Sequence, residues 1–304
     1  MKKYIVYYGS GGLCHMMSGL FLAIYLAKST NRVLIINVQD YPLFPFKISK
    51  YFNIYDDKVS IQEHWEGVPN HYKFFQYSVE NLKKYDNLHY KKKKRSGEYY
   101  YGDYLLNNPY AIKKYLTQDI FPFQTYYPNF SYTKIKLHLS IINIVRTKCA
   151  PIKGRYISIH FRNTDLKYLT IEAVSKRCLF LSRTYKINII YLATDDYSAY
   201  DKLRQLLPSR IKLIQYIVPD NYNGKALHKN KKDKYELTIN SFCDMFMILK
   251  SQYFIPCALS GFSKWLFCMI KNQSNIFNIV SNTQVFINEN RMLFQPYPPL
   301  SMFK

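Results

Sequence analysis

The chain has 304 residues, 43 of them Lys or Arg against 20 Asp or Glu, for a formal net charge of +23. Hydrophobic residues make up 48% and aromatic residues 17%, enough to bury a large core, which excludes a disordered tail or a charged low-complexity chain. At about 150 residues per domain, the length implies two domains or one large one.

Residues 4–8 are β-branched and aromatic and predict a strand. The cluster Gly9-Ser10-Gly11-Gly12 then turns the chain into an apolar helix over 16–28, and a second strand follows at 32–37. From 40 to 130 the pattern blurs: Tyr41-Pro42-Leu43-Phe44-Pro45 breaks regular structure, and aromatics are scattered without a period of two or 3.6. A helix is expected over 137–145. Pro and Gly punctuate Cys149-Ala150-Pro151-Ile152-Lys153-Gly154, which makes this the expected linker and divides the chain into 1–150 and 151–304. Beyond it, strand-like runs at 155–160, 187–193, 211–216, 253–257 and 276–280 alternate with helix-length segments at 170–183, 197–207, 235–249 and 261–271. That alternation predicts an α/β fold whose C-terminal domain is a doubly wound parallel sheet, with ligands beyond the carboxyl ends of the strands.

The basic excess is spread over both halves. Its dense runs, 91–95 and 225–234, lie in loop-like surroundings and read either as solvated loops or as attraction to anionic partners such as phospholipid head groups. The even spread and the lack of a recognised motif argue against nucleic acid as a partner. The six cysteines, at 14, 149, 178, 243, 257 and 268, show neither C-x-x-C nor zinc spacing and read as buried thiols of a reducing compartment. The N-terminus lacks a signal-peptide pattern, and no apolar run reaches the roughly 18 uncharged residues of a membrane span. The expected location is cytoplasmic, peripheral on the inner face of the membrane.

Three polar clusters follow predicted strands: His160-Phe161-Arg162-Asn163-Thr164-Asp165, Thr194-Asp195-Asp196 and Ser260-Gly261-Phe262-Ser263. Arg offers a planar fork that matches phosphate oxygens, and a helix start offers free N–H groups, so Arg162 with Ser260 and Ser263 is a candidate diphosphate receptor. Taken singly, the serines also suit N-caps, His160 a core histidine, and Asp195-Asp196 a capping pair.

As an ordered set these motifs resemble the α1,2-, α1,6- and protein O-fucosyltransferases. His160 to Asp165 is similar to their H-x-R-x-x-D motif, and Tyr191-Leu192-Ala193-Thr194-Asp195-Asp196 to the second motif of the α1,6 branch. Asp244 to Leu249 followed by Ser260-Gly261-Phe262-Ser263-Lys264-Trp265 resembles the third, and Gly9 to His15 the N-terminal glycine-rich loop. The resemblance implies a GT-B-like fold of two Rossmann-type domains facing a cleft, with residues 1–150 on the acceptor side and 151–304 binding the GDP-sugar.

It also implies roles. Arg162 would neutralise the β-phosphate of GDP-fucose as the leaving group departs, with no metal or other cofactor, in keeping with the absence of D-x-D from the chain. Asp244 would accept from the guanine N1–H and 2-amino group, and His160 would contact the nucleotide. Ser260 and Ser263, with Gly261 and Phe262 between them, would meet the phosphates. Asp195 or Asp196 would order the surrounding loops, and Gly11, Gly12 and His15 would face the donor. Glu172, in Thr170-Ile171-Glu172-Ala173, resembles the Thr-Glu-Ala of the α1,6 branch and is the candidate general base; it also reads as an exposed residue in a first helical turn. Two departures stand out. Asn163 occupies a position where many members carry a second Arg, and Cys14-His15 replaces the Gly-Asn of the α1,2 branch.

The expected function is an inverting fucosyltransferase acting on a glycan or glycolipid acceptor, such as a surface glycan or lipopolysaccharide, beside an anionic membrane. The rivals are a transferase of another GDP-sugar, a non-catalytic glycan-binding relative and a nucleic-acid-binding protein.

Overall fold

The computed structural model describes residues 4–8, 12–37, 47–54, 61–63, 120–123, 135–149, 152–164, 169–219, 233–257, 260–263 and 266. The chain divides into two compact units, Met1–Ile135 and Lys136–Lys304. Most of the irregular 40–130 stretch, the strand expected at 276–280, both dense basic runs apart from residues 233 and 234, Gly11, Asp165, Lys264 and Trp265 lie outside the described residues.

In the first unit, β1 (Tyr4–Tyr8) leads into α1 (Leu13–Ser29) and β2 (Val33–Asn37). Helix α1 buries Leu13, Met16, Met17, Leu20, Ile24 and Ala27, the i, i+3, i+4, i+7 stripe of a core-facing helix. It ends where Asn31 turns left-handed (φ 51°) and the Arg32 N–H reaches back to the Ala27 carbonyl at 2.9 Å, which satisfies a helix-end acceptor. The Tyr7 hydroxyl, buried in this layer, donates to the Met16 carbonyl at 2.6 Å and fastens β1 to α1. Strands β3 (Phe52–Ile54), β4 (Ile61–Glu63) and β5 (Ile120–Phe123) follow, and β6 (Ile135–Leu137) spans the boundary between the units. The sheet order is β4-β2-β1-β5, every neighbouring pair parallel, with Ile5 opposite both Leu34 and Phe121.

The second unit contains α2 (Leu139–Lys148), β7 (Ile157–Phe161), α3 (Ile171–Tyr185), β8 (Ile189–Thr194), α4 (Ala199–Leu206), β9 (Lys212–Ile214), α5 (Lys234–Lys250) and β10 (Tyr253–Ile255). Side chains cap several of these helices. Thr170 Oγ1 accepts from Ala173 N–H at 3.2 Å, and Asp233 Oδ1 accepts from Tyr235 and Glu236. Lys186 ends α3 in the left-handed region (φ 55°), and Gly154 (φ 95°) bends the chain ahead of β7.

The expected boundary at 150/151 differs from the observed division at 135/136. Helix α2 packs against α5, where Lys148 Nζ meets Glu236 at 3.3 Å and Asn240 at 3.2 Å, so it belongs with the second unit although the Pro/Gly punctuation follows it. Leu137, expected in that helix, lies in β6, because His138 takes the N-cap by accepting from Ser140 N–H.

The second sheet has the order β10-β7-β8-β9, all parallel. Strand β7 is buried at every position, as a strand covered on both faces must be. Ile157, Ile159 and Phe161 join Val174 and Leu181 of α3 and Leu203 of α4 on one face. On the other, the Tyr156 hydroxyl donates to the Met247 carbonyl of α5 at 2.7 Å, and Ser158 pairs with Ser251 at 2.7 Å. Numbered along the chain, both four-stranded sheets read 3-2-1-4, so the direction of winding reverses beside the first strand of each. In the second unit the reversal lies between β7 and β10, and in parallel α/β sheets ligands sit at such a reversal, beyond the carboxyl ends of the strands.

Candidate active site

Strand β7 carries its last side chains to that edge. His160 is 8% exposed, and its Nδ1 lies 2.7 Å from Ser263 Oγ. Ser263, fully buried, also accepts the Cys257 N–H at 3.0 Å, and the Phe262 ring tilts against the imidazole with centroids 4.9 Å apart. Burial, with the Arg162 charge as a smaller contribution, pulls the His160 pKa down to about 3, so the ring is neutral. Ser260, three residues before Ser263, is also fully buried. Its Oγ has no partner among the described residues, a hydroxyl that a ligand would satisfy. Gly261 and Phe262 are half-buried at the start of the helical turn.

The next three residues are held by the two aspartates that follow β8. Asp195 accepts from the Asn163 N–H at 2.9 Å and the Thr164 hydroxyl at 2.5 Å, and its Oδ2 lies 3.6 Å from Arg162 Nε. Asp196 accepts from the Asn163 side-chain amide at 2.8 Å and from both the backbone N–H and the hydroxyl of Ser198. Burial alone would raise the Asp196 pKa. The hydrogen bonds from Asn163 and Ser198, aided by the Lys202 charge, outweigh it and leave the group below its ordinary value, a carboxylate at neutral pH. Asn163, a departure from the fucosyltransferase pattern, is therefore the link between both aspartates and the β7 loop. The resemblance implied that Asp195 or Asp196 orders the surrounding loops, and the part played by Asn163 had no sequence signal beyond a short polar side chain after a strand.

Asp244 lies mid-way along α5, half-buried, and faces β8, where the Tyr191 hydroxyl donates to its Oδ1 at 2.6 Å. Burial pushes its carboxyl up to about 7, with the Tyr191 hydrogen bond pulling the other way. Oδ2 has no partner among the described residues. Tyr191 in turn tilts against Tyr216, centroids 5.8 Å apart. Since Ser158 aligns with Tyr191 and His160 with Ala193, Asp244 stands over the sheet face that carries His160. The sequence left the orientation of Asp244 open, and Tyr191 was singled out only as part of a motif.

The remaining candidates lie on other elements. Glu172 is exposed in the first turn of α3, the helix that begins at the carboxyl edge after β7. Gly12 immediately precedes α1 with open space where a Cβ would stand, and its carbonyl accepts from Met16 N–H. His15 lies in the first turn of α1. The five described cysteines, 14, 149, 178, 243 and 257, are buried free thiols. No helix among the described residues is long and apolar enough to cross a membrane.

At the sequence level no family model matches the chain, and no curated protein is significantly similar to it. Solved structures do match. The fucosyltransferase NodZ from Bradyrhizobium has a TM-score of 0.54 at 15% identity, over 89% of this chain and 94% of that one. NodZ α-1,6-fucosyltransferase co-crystallized with GDP gives 0.52 at 14% identity, over 89% and 93%. POFUT1 in complex with GDP-fucose gives 0.54 at 13% identity, over 91% and 98%. Coverage this complete, together with the parallel sheets, means that the chain has the GT-B-like α/β fold of GDP-fucose-type fucosyltransferases.

Proposed function

We propose that this protein is an inverting fucosyltransferase that takes fucose from GDP-fucose to a glycan hydroxyl without a metal ion. The observation that carries the reading is Arg162. It stands at the winding reversal of the second sheet, on a loop clamped by Asp195 and Asn163, at the strand end that also presents neutral His160, with the unpartnered Ser260 hydroxyl following the adjacent strand β10.

As the glycosidic C–O bond breaks, its electrons pass to the β-phosphate oxygen, and a guanidinium there stabilises the growing charge. Ser260 donates to a phosphate oxygen. Asp244 accepts from the guanine edge, which adenine and uracil cannot match. The acceptor oxygen attacks the opposite face of the sugar carbon and gives up its proton to a carboxylate. Glu172 is the base in this reading, supported by its place on the same sheet edge as Arg162. The acceptor is a surface glycan or lipopolysaccharide. The net charge of +23 supports attachment to an anionic membrane.

A thermal-shift panel tests the reading: GDP stabilises the protein, UDP and ADP do not, and Arg162→Ala abolishes the shift. Equal stabilisation by all three nucleotides, or none by GDP, would reject the donor assignment. Turnover of GDP-fucose over GDP-mannose, unchanged by a chelator, tests the sugar and the metal independence.

A further inference from the structure

The Ser263 hydroxyl is enclosed. Its oxygen already receives the Cys257 N–H at 3.0 Å, and among the described residues its one other hydrogen-bond partner is His160 Nδ1 at 2.7 Å. A hydroxyl proton with no exposure to solvent needs an acceptor, and Nδ1 is the one the described residues offer. The network therefore assigns the proton of the neutral imidazole to Nε2. With Nδ1–H instead, Oγ would accept from both Cys257 N–H and the imidazole, and the serine proton would have no acceptor among the described residues. Nε2 has no partner among the described residues, and the Phe262 ring limits how far the imidazole can turn.

We propose that Ser263 is a positioning residue: it locks His160 in the Nε2–H form, so that the bound nucleotide sugar must present an acceptor oxygen to that nitrogen. The lock itself is a property of the protein without ligand; only its use by the nucleotide sugar rests on the proposed GDP-fucose function. Ser263 then serves the ligand through His160 rather than by touching a phosphate, because both of its polar contacts lie within the protein.

Two-bond ¹H–¹⁵N correlation spectra of the imidazoles, recorded on the full chain near neutral pH without nucleotide, test the lock. His160 is assigned by the signal that disappears in His160→Gln. The expected wild-type pattern is a protonated Nε2 with a bare Nδ1. Ser263→Ala is expected to shift it toward a mixture of both forms, and Ser263→Thr, which keeps the hydroxyl, to restore it. A wild-type ring protonated at Nδ1, or a pattern unchanged in Ser263→Ala, overturns the proposal.

Calorimetric titration with GDP tests the use of the lock. Ser263→Ala should weaken binding about tenfold, the worth of one neutral hydrogen bond at its upper range. His160→Gln, whose amide places an N–H near the Nε2 position, should retain more affinity than His160→Leu. A chain that shows the lock and its loss in Ser263→Ala yet does not bind GDP keeps the positioning role and overturns the nucleotide assignment.

Discussion

Guanine recognition by Asp244 predicts a pH dependence of nucleotide affinity in a range where carboxylates seldom titrate. Burial lifts the carboxyl from its ordinary 3.8 to about 7, and the hydrogen bond from Tyr191 keeps it from rising further. The ionised group can accept from both the N1–H and the 2-amino group of guanine, whereas the acid carries a proton of its own and loses an acceptor site. Apparent affinity scales with the ionised fraction, so with a midpoint near 7, GDP should bind about tenfold more tightly at about pH 8 than at about pH 6.

His160, at about 3, stays neutral throughout, and Tyr191, Tyr216 and Cys149 are all pushed up and away from this window. Calorimetry on wild type and Asp244→Asn separates this group from the titration of the terminal phosphate, because only the wild type contains the Asp244 contribution. Tyr191→Phe removes the hydrogen bond that opposes burial, so the midpoint should move up and neutral-pH affinity fall.

Stability should respond in the opposite sense. A folded-state value above the unfolded one means that the folded protein holds the proton more tightly, so the contribution is full below about 3.8 and lost as pH rises through about 7. Asp244→Asn should therefore be more stable than wild type near pH 8, by an amount whose ceiling is on the order of 4 kcal/mol, while binding GDP poorly. The same pH slope in both proteins, or a less stable variant at that pH, would refute the reasoning.

Removing Arg162 should lower kcat on the order of a hundred- to a thousandfold, as loss of a donor that meets transition-state charge does, measured with GDP-fucose and the best available acceptor. Glu172→Gln should abolish transfer and leave GDP affinity unchanged; retained kcat would move the base elsewhere. Asn163→Ala breaks the bridge to Asp196 and should cost about 2 kcal/mol in urea unfolding, the range for a hydrogen bond to a charged group. Lys186→Gly, at a left-handed helix end, should raise stability by about 1 kcal/mol, read from the same unfolding curves.

Much of the second unit was legible because each element announces itself by period and ends by recognisable chemistry. Helices expected at 170–183 and 235–249 occur at Ile171–Tyr185 and Lys234–Lys250, opened by Thr170 and Asp233. The strand expected at 211–216 is shorter, Lys212–Ile214: the Arg204 guanidinium ties up the Ile211 carbonyl before it. Helix α2 illustrates a limit, because its allegiance to α5 depends on a contact 88 residues away in sequence that no local pattern encodes. At the site, residue types marked the strand ends but not their pairings. That Asp195 grips Arg162, that Asn163 joins both aspartates, and that Ser263 points inward all depend on β7, β8 and β10 lying side by side.

The aspartate clamp bears on how a ligand would be received. Fixing a residue's backbone costs roughly 1–2 kcal/mol in chain entropy. At residues 162–164 that loss occurs during folding, because Asp195 and Asp196 already hold the segment. A molecule arriving there meets a preorganised surface, and its association need not be slowed by waiting for the chain to settle.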